Sequence, residues 1–379
     1  MNSSSSYTIL GGGIAGLAMA NGLKKIGINA TVFEAAAELK PAGAGLVMAP
    51  NALVALDYLG VRKQIEKRGL ALNKMRILNQ KGGVIQAVDI RAINPAYNYL
   101  TIHRHALHEA LMETLAPGQV ILKQRSRQVK RTEKGYEIHF ESGLVHSTDY
   151  LIVAEGIHSH IREQLFPEMK IQYAGYSCWR GICQFSGLSE ASETWGKNGR
   201  FGLVPLQNDF VYWFAVVNCG LTDSNYRKFT AREISELFAD YHQPIKEVVG
   251  KTSDDHIIWN SISDLTLPNE LTKEGICFIG DSIHATTPNM GQGACMAVED
   301  AAVFARALET FGDFDKACTH FQNKRLERVR FVVKRSRSLG SIGQKTSALY
   351  ASLRNGLIRL IPGSMQRKQL QKLFDFKVD

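Results

Sequence analysis

The six cysteines, Cys178, Cys183, Cys219, Cys277, Cys295 and Cys318, contain no C-x-x-C pair. That removes a zinc ribbon and a redox dithiol and leaves buried free thiols as the reading. No apolar run approaches the ~20 residues of a membrane span. The polar start MNSSSS has neither the charged nor the apolar region of a signal peptide, so the expected location is the cytoplasm. Nothing repeats at a fixed period, which argues against solenoids and propellers. No cluster of metal-ligand residues is offered, and no serine motif accompanies His284 and Asp281 to suggest a nucleophilic triad. What remains is the composition of a globular protein: 379 residues, 45% hydrophobic and 21% charged, enough for one large or two ordinary domains.

The net charge of +9 is unevenly spread. From His320 to the end there are fourteen Lys and Arg against three acids, which leaves the rest of the chain near −2. The basic character therefore belongs to a C-terminal helical region. Leu, Ile, Val and Phe recur between those charges at helical spacing, so a solvated helix face is expected; a membrane footprint stays open, and no nucleic-acid partner is expected.

The chain is organised around Tyr7 to Glu34, YTILGGGIAGLAMANGLKKIGINATVFE. A short apolar run, three spaced glycines, a helical pattern, a second apolar run and an acid follow in the order of one βαβ unit. Gly11, Gly13 and Gly16 fill G-x-G-x-x-G, giving the tight turn, the close approach of backbone to pyrophosphate and the near contact of helix with strand. A helix opening at Ile14 points free N–H groups at a diphosphate without any basic side chain. Glu34 ends the second strand, Ala30 to Phe33, where it accepts from a ribose and repels a 2′-phosphate, so an NAD- or FAD-type nucleotide is expected. The alternative is a Gly-rich turn in an ordinary α/β protein.

Pro41, Gly43, Gly45 and Pro50 punctuate a loop before a helix from about Asn51 to Leu59. Lys74 to Val88 reads as a hairpin around Asn79-Gln80-Lys81-Gly82-Gly83. Thr101 to Leu115 reads as an amphipathic helix with Arg104 near its start, where a cation gains nothing from the dipole and a ligand phosphate compensates. Val120 to Val129, Tyr136 to Phe140 and Tyr150 to Val153 read as strands, the last running into Glu155-Gly156 and a helix with Arg162. From Tyr173 to Trp259, aromatic and β-branched residues predict an antiparallel sheet with a short helix at Glu233 to Tyr241. In GICFIGDSIHATTPNMGQGACMAVEDAAVFARAL, Ile276 to Ile279 make a buried strand that ends at Gly280-Asp281, and a helix runs from near Gly293 to Leu308. Asp281 is placed to accept from a sugar-alcohol chain, while Gly291 and Gly293 let backbone N–H groups approach a planar ligand. Pro362-Gly363 breaks the last helix.

Three segments together, GGGIAG ending at Glu34, Glu155-Gly156 with Arg162, and GDSIHATTPNMGQG, resemble the class A single-component FAD-dependent monooxygenases, the aromatic hydroxylases. ELKPAGAG, YAGYSCWRG and TTPNMGQGACMAVEDA are most similar to the FAD-dependent urate hydroxylase branch; salicylate and 3-hydroxybenzoate hydroxylases and zeaxanthin epoxidase are its neighbours. The resemblance implies that Gly11, Gly13, Ala15, Gly16 and Glu34 hold the ADP half of FAD, that Gly45, Arg104 and Val129 also line the cofactor, that Asp281 meets the ribityl diphosphate, and that Gly291, Gly293 and Ala294 face the flavin pyrimidine edge. It implies Arg200 and Tyr212 as the pair facing flavin and substrate; otherwise Arg200 is a loop cation and Tyr212 a sheet core residue. The family has Asp-Gly where this chain has Glu155-Gly156, which keeps the charge and shifts its reach.

The expected fold is α/β: a Rossmann-like FAD-binding domain (1–72, 97–172 and 262–312) interleaved with an antiparallel β-sheet substrate domain (73–96 and 173–261), then C-terminal helices (313–379). The implied activity is hydroxylation of an aromatic or heteroaromatic substrate with O2 and transiently bound NADH or NADPH, through a flavin C4a-hydroperoxide. A single G-x-G-x-x-G argues against a separate nicotinamide domain, and the absence of W-x-W-x-I-P argues against a halogenase. A flavin-dependent epoxidase or antibiotic-inactivating monooxygenase, and a non-enzymatic flavin- or ligand-binding protein, stay open. So do a weak peripheral membrane contact through the basic C-terminal region and the choice of monomer or homodimer.

Overall fold

A computed structural model of the chain describes residues 5–38, 44–93, 95–96, 98–345 and 347–379. Its first layer is a six-stranded sheet in the order Thr272–Lys273, Ile276–Phe278, Tyr150–Val153, Tyr7–Leu10, Ala30–Phe33, Val120–Ile121. All neighbours in it are parallel except the first pair. Tyr7–Leu10 and Tyr150–Val153 are buried or nearly so along their lengths, as a parallel sheet covered on both faces requires. The helix Ile14–Lys25 is buried on every side from Ile14 to Leu23, which explains why its sequence is small and apolar all round. A Cβ on Gly22 would meet the Ala305 methyl at 2.8 Å and a Leu59 methyl at 3.0 Å, so this glycine lets the helix Gly293–Phe311 lie against it.

The second layer is a seven-stranded sheet in the order Ile258–Leu265, Ile171–Gln184, Phe210–Asn218, Gly199–Pro205, Ala191–Gly196, Lys74–Asn79, Val84–Asp89. It is antiparallel except where Ala191–Gly196 runs parallel to Lys74–Asn79. One face carries Trp179, Phe201 and Trp213 and packs on the helices Ala231–Leu237 and Ile245–Gly250. The other face carries Cys178, Arg180, Ile182, Tyr212 and Phe214, set side by side by the registers Ile182↔Tyr212 and Arg180↔Phe214. Two three-stranded sheets complete the β-structure: Val145–Thr148, Gly135–Phe140 and Ser126–Thr132, and Gly45–Met48, Tyr99–His103 and Leu70–Leu72.

A 30-residue helix, Phe314–Gly343, spans both layers. Near its start Arg325 pairs with Glu299 and Asp300 of the first layer's helix, the latter at 2.8 Å. Three turns later Arg337 holds Asp264 of the second sheet at 2.6 Å. The chain ends in the helices Ala348–Arg359 and Gly363–Phe374, broken at Pro362.

Local readings need correction in three places. The segment Thr101–Leu115 is divided: Tyr99–His103 is a strand, in keeping with its β-branched Thr101 and Ile102, and the helix is Arg104–Met112. Val120–Val129 is two strands in different sheets, separated where Lys123 takes a positive φ of 61° and the chain hydrogen-bonds to Ala36 and Glu34. The short helix of the second sheet is Ala231–Leu237, opened by a Thr230/Glu233 capping box. Pro41 and Gly43 lie outside the described residues; Gly45 begins a strand and Pro50 a helix, Pro50–Tyr58.

Candidate functional site

The three glycines of the first turn divide their work. A Cβ on Gly11, where φ is +104°, would strike the Ala154 carbonyl at 2.3 Å, and one on Gly16 would strike the Gly11 carbonyl at 1.8 Å. Both are packing requirements. Gly13 differs: nothing lies within 4 Å of its Cβ position. It is also the N-cap of Ile14–Lys25, with no side-chain cap, so the first-turn N–H groups face open space. That is the cradle a diphosphate needs.

Glu34 lies at its edge. One carboxylate oxygen accepts from Gly12 N at 2.6 Å and the other from Ala36 N at 2.7 Å, which fixes the acid and leaves further lone pairs for a diol. On the other side of the loop His108 Nε2 donates to the Gly12 carbonyl at 2.7 Å. Burial, despite that bond, holds the His108 pKa below its ordinary value, so the ring is neutral.

The second turn meets the first. A Cβ on Gly280 would lie 2.9 Å from the Ala15 methyl, which sets Asp281 against the glycine turn. Asp281 opens to solvent on one side and is crowded on the others; this desolvation raises its pKa, against the lowering fields of His284 and Arg104. Behind it Asp300 accepts from Gly280 N at 2.8 Å and pairs with His284 at 2.5 Å. Gly293 and Ala294 open the 19-residue helix Gly293–Phe311, whose N-cap Gln292 makes no side-chain cap bond and whose preceding Gly291 is left-handed at φ +62°. A second uncapped helix start thus serves the same cleft. Its seat is fixed by Asn51, which donates to Gln292 at 2.9 Å and to Glu299 at 2.6 Å.

The third wall is the second sheet. A Cβ on Gly45 would lie 2.6 Å from the Tyr212 ring, so strand and ring are in direct contact. Tyr212 belongs to an apolar cluster with Ala44, Val204 and Leu206, bordered by Val47, Ile182 and Phe214. Its hydroxyl has no hydrogen-bond partner among the described residues, and burial raises its pKa, so the phenol is neutral and free to bond a ligand. Beside it is Arg180, half-buried, whose charge opposes that rise. Arg180 makes one long bond, 3.5 Å to Asn260 Oδ1, and leans on Cys178.

The structure therefore brings Gly11, Gly13, Ala15, Gly16, Glu34, Arg104, Asp281, Gly291, Gly293 and Ala294 around one cleft, with Gly45 and Tyr212 on its far wall. Arg200 and Val129 stand elsewhere. Arg200 is 3% exposed and each of its three nitrogens donates once: Nε to Gln344 Oε1 at 2.7 Å, one terminal nitrogen to Glu193 Oε1 at 3.0 Å, the other to Asn289 Oδ1 at 2.7 Å. It joins the sheet, the long helix and the Pro288–Met290 turn. Val129 is buried, with its N–H and carbonyl both bonded to the Gln164 side chain at 3.1 and 2.8 Å. On that strand Ser126 approaches the site instead, by donating to Glu155. Glu155 also accepts from Ser159 Oγ at 2.6 Å, so the longer acid is fastened across the start of the helix His160–Leu165.

Sequence reasoning passed over the placement of Arg180, Asn289 and Asn51 at the walls and seats of this cleft. For Arg180 a signal existed: it alternates with Cys178 and Ile182, opposite Tyr212 and Phe214, once the strand pairing is known. The bonds of Asn51 to Gln292 and of Asn289 to Tyr176 join segments more than a hundred residues apart and have no local signature.

A family model described as "FAD binding domain" matches residues 5–334. Among curated proteins the chain is 32% identical to the aurachin C monooxygenase/isomerase of Stigmatella aurantiaca over 361 residues, 93% of each chain. It is 29% identical to the 2-heptyl-3-hydroxy-4(1H)-quinolone synthase of Pseudomonas aeruginosa over 373 residues, 97% of each. Among solved structures it superposes on Klebsiella pneumoniae HpxO complexed with FAD and uric acid with a TM-score of 0.91, covering 99% of this chain and 97% of that one at 23% identity.

Proposed function

The chain belongs to the FAD binding domain family and is an NAD(P)H-dependent flavoprotein monooxygenase of the aromatic-hydroxylase class, and we propose that its substrate is a 4(1H)-quinolone bearing an apolar chain. The cleft fits the cofactor on its own evidence: an open Gly13 between two packed glycines, an acid fixed at the second strand's end, and two uncapped helix starts. In this reading Gly13 and the first-turn N–H groups hold the diphosphate, Glu34 the ribose, Asp281 the sugar-alcohol chain, and the N–H groups of Gly293 and Ala294 the flavin ring edge. Bound FAD supplies reduction by NAD(P)H and activation of O2, so that one oxygen atom enters the substrate and the other leaves as water.

The protein's part is positional. The observation that carries the substrate reading is the make-up of the far wall: Ala44, Val47, Ile182, Val204, Leu206 and Phe214 around one polar corner, Arg180 with the Tyr212 hydroxyl, while each Arg200 nitrogen already donates within the protein. A 4(1H)-quinolone presents one carbonyl, one ring N–H and an otherwise apolar periphery. Arg180 donates to that carbonyl and stabilises the electron-rich anionic form of the ring; Tyr212 fixes its orientation, and the apolar residues exclude water. A ring with polar atoms on every edge finds too few partners here.

The relatives named above extend the reading to position. One is named for a 2-heptyl-3-hydroxy product, which points to hydroxylation at ring carbon 3, beside the carbonyl. We further propose the division into a FAD-binding domain (1–72, 97–172, 262–312), a substrate sheet (73–96, 173–261) and C-terminal helices (313–379). The working place is the cytoplasm, as monomer or homodimer, with membrane contact limited to a surface. The test is NAD(P)H oxidation by the yellow holoenzyme with 2-alkyl-4(1H)-quinolones, phenols and urate, coupled to mass spectrometry. Quinolone-stimulated oxidation with a product heavier by one oxygen is expected, and Arg180→Gln should lower kcat/KM about 100-fold with FAD retained. Stimulation and oxygenation confined to urate or simple phenols would overturn the quinolone reading.

A further inference from the structure

Most of the large apolar side chains in this molecule are inside, but the last two helices are an exception. On Ala348–Arg359, Leu353 and Leu357 are 63% and 58% exposed; in the turn that follows Leu360 is 78% exposed, and Met365 at the start of Gly363–Phe374 is 53% exposed. The first three recur at i, i+4 and i+7, the spacing of one helical face carried into the turn. The adjoining face is fastened: Arg354 is buried, stacks 4.7 Å from the Trp195 ring centroid and donates to the carbonyls of Ile342 and Gly343. The apolar face is thus held outward by a packed one. Val84, at the edge of the second sheet, continues the patch and its carbonyl accepts from Arg359 at 3.3 Å.

Around these leucines the charge is of one sign. Between Gly343 and Lys372 the chain carries Lys345, Arg354, Arg359, Arg367, Lys368 and Lys372 and no acid. We infer that these two C-terminal helices dock the protein on an anionic lipid surface, with Leu353, Leu357, Leu360 and Met365 inserted between headgroups and Arg359, Arg367 and Lys368 on lipid phosphates. The juxtaposition of protruding leucines with a basic rim is the chemistry of an interfacial anchor. A second copy of the chain fits less well, because a symmetric contact sets this basic region against its own image. Among the described residues no helix is long and apolar enough to cross a membrane, so the contact is with one leaflet. The surface stands on its own residues; only its use, collecting a lipophilic ring compound where it partitions, rests on the proposed substrate.

The experiment is flotation of the FAD-loaded full chain with vesicles of phosphatidylcholine alone or with about 30% phosphatidylglycerol, at low and high salt, for wild type and the Leu357→Ser/Leu360→Asp variant. Both positions are solvent-exposed, so the variant keeps its fold, which its FAD content and melting curve verify. Binding to anionic vesicles that falls at least ~10-fold in high salt and ~100-fold in the variant is expected. Absence of wild-type flotation with either vesicle, or flotation unaffected by the variant, overturns the proposal. So does sedimentation showing a wild-type dimer that the variant dissolves, since the patch is then a self-interface. Turnover of a short-chain, water-soluble quinolone separates the two readings: vesicle binding without quinolone turnover keeps the anchor and discards the substrate, and turnover without vesicle binding does the reverse.

Discussion

Replacing Arg200 by Met tests whether its guanidinium is a structural junction or a ligand contact. Arg200 is buried and gives its three nitrogens to Gln344, Glu193 and Asn289 at 2.7, 3.0 and 2.7 Å. Methionine fills much of the volume but donates nothing, so two amide oxygens and one carboxylate lose their partner. Glu193 is about a fifth exposed and keeps a bond from Trp195 Nε1 at 2.9 Å, which softens the charged part of the loss. Stranding one side of such a cluster costs about 3–5 kcal/mol. With an unfolding entropy of ~2.1 cal/mol/K per residue over this chain, that corresponds to a Tm lower by about 4–6 °C if unfolding is two-state. Differential scanning calorimetry of the holoenzyme measures it, and a cycle with Glu193→Gln should return ~1–3 kcal/mol of coupling. Substrate KM should stay within about threefold of wild type, because no substrate atom is lost. An unchanged Tm with kcat/KM down ~100-fold would falsify the junction and return Arg200 to the ligand.

Gly13→Ala and Gly16→Ala should separate cleanly: the first has room for its methyl, so the apo fold melts normally while FAD affinity falls at least ~10-fold by equilibrium dialysis. The second must displace the Gly11 carbonyl, so soluble yield and apo stability fall as well; equal behaviour of the two variants would sink the assignment. Glu34→Arg should release FAD on gel filtration, since it exchanges the acceptor at the ribose for a donor, and full retention would remove Glu34 from that site. His284 supplies a pH dependence. Burial alone lowers its pKa, but the charge and hydrogen bond of Asp300 outweigh burial and leave it raised. Its contribution is then complete below the unfolded value near ~6.5 and is lost as pH rises through the higher folded value. Tm should therefore decline on the alkaline side of neutrality, and His284→Gln should flatten that slope; an identical slope in the variant would show the pair to be silent.

The dinucleotide turn was legible because its chemistry is local. Strand, glycines, helix and acid occupy 28 consecutive residues, Tyr7 to Glu34, and each has a steric or electrostatic job stated by its spacing. The turn around Asp281 and Gly293 was legible for the same reason, as was the break at Pro362. Strand boundaries were less so: Thr101 and Ile102 fit the helical pattern downstream, and pairing with Val47 and Leu46 across Gly45–Met48 makes them strand. The different surroundings of Arg200 and Arg180 lay beyond a single sequence. Both are arginines on the same sheet face, and which one is spent depends on Gln344 and Asn289, brought in by other elements.

The long helix Phe314–Gly343 resists rigid-body opening of the two layers. At ~1.5 Å per residue it is a beam of about 45 Å. It is bolted at one end to Glu299 and Asp300 and further along to Asp264, with Ser336 bonded to the Thr287 carbonyl at 2.6 Å between them. Swinging one layer away from the other would shear several buried charged contacts at once. Substrate and nicotinamide must then enter by displacing side chains at the rim of the cleft, so turnover should respond to the bulk of rim residues far more than to solvent viscosity.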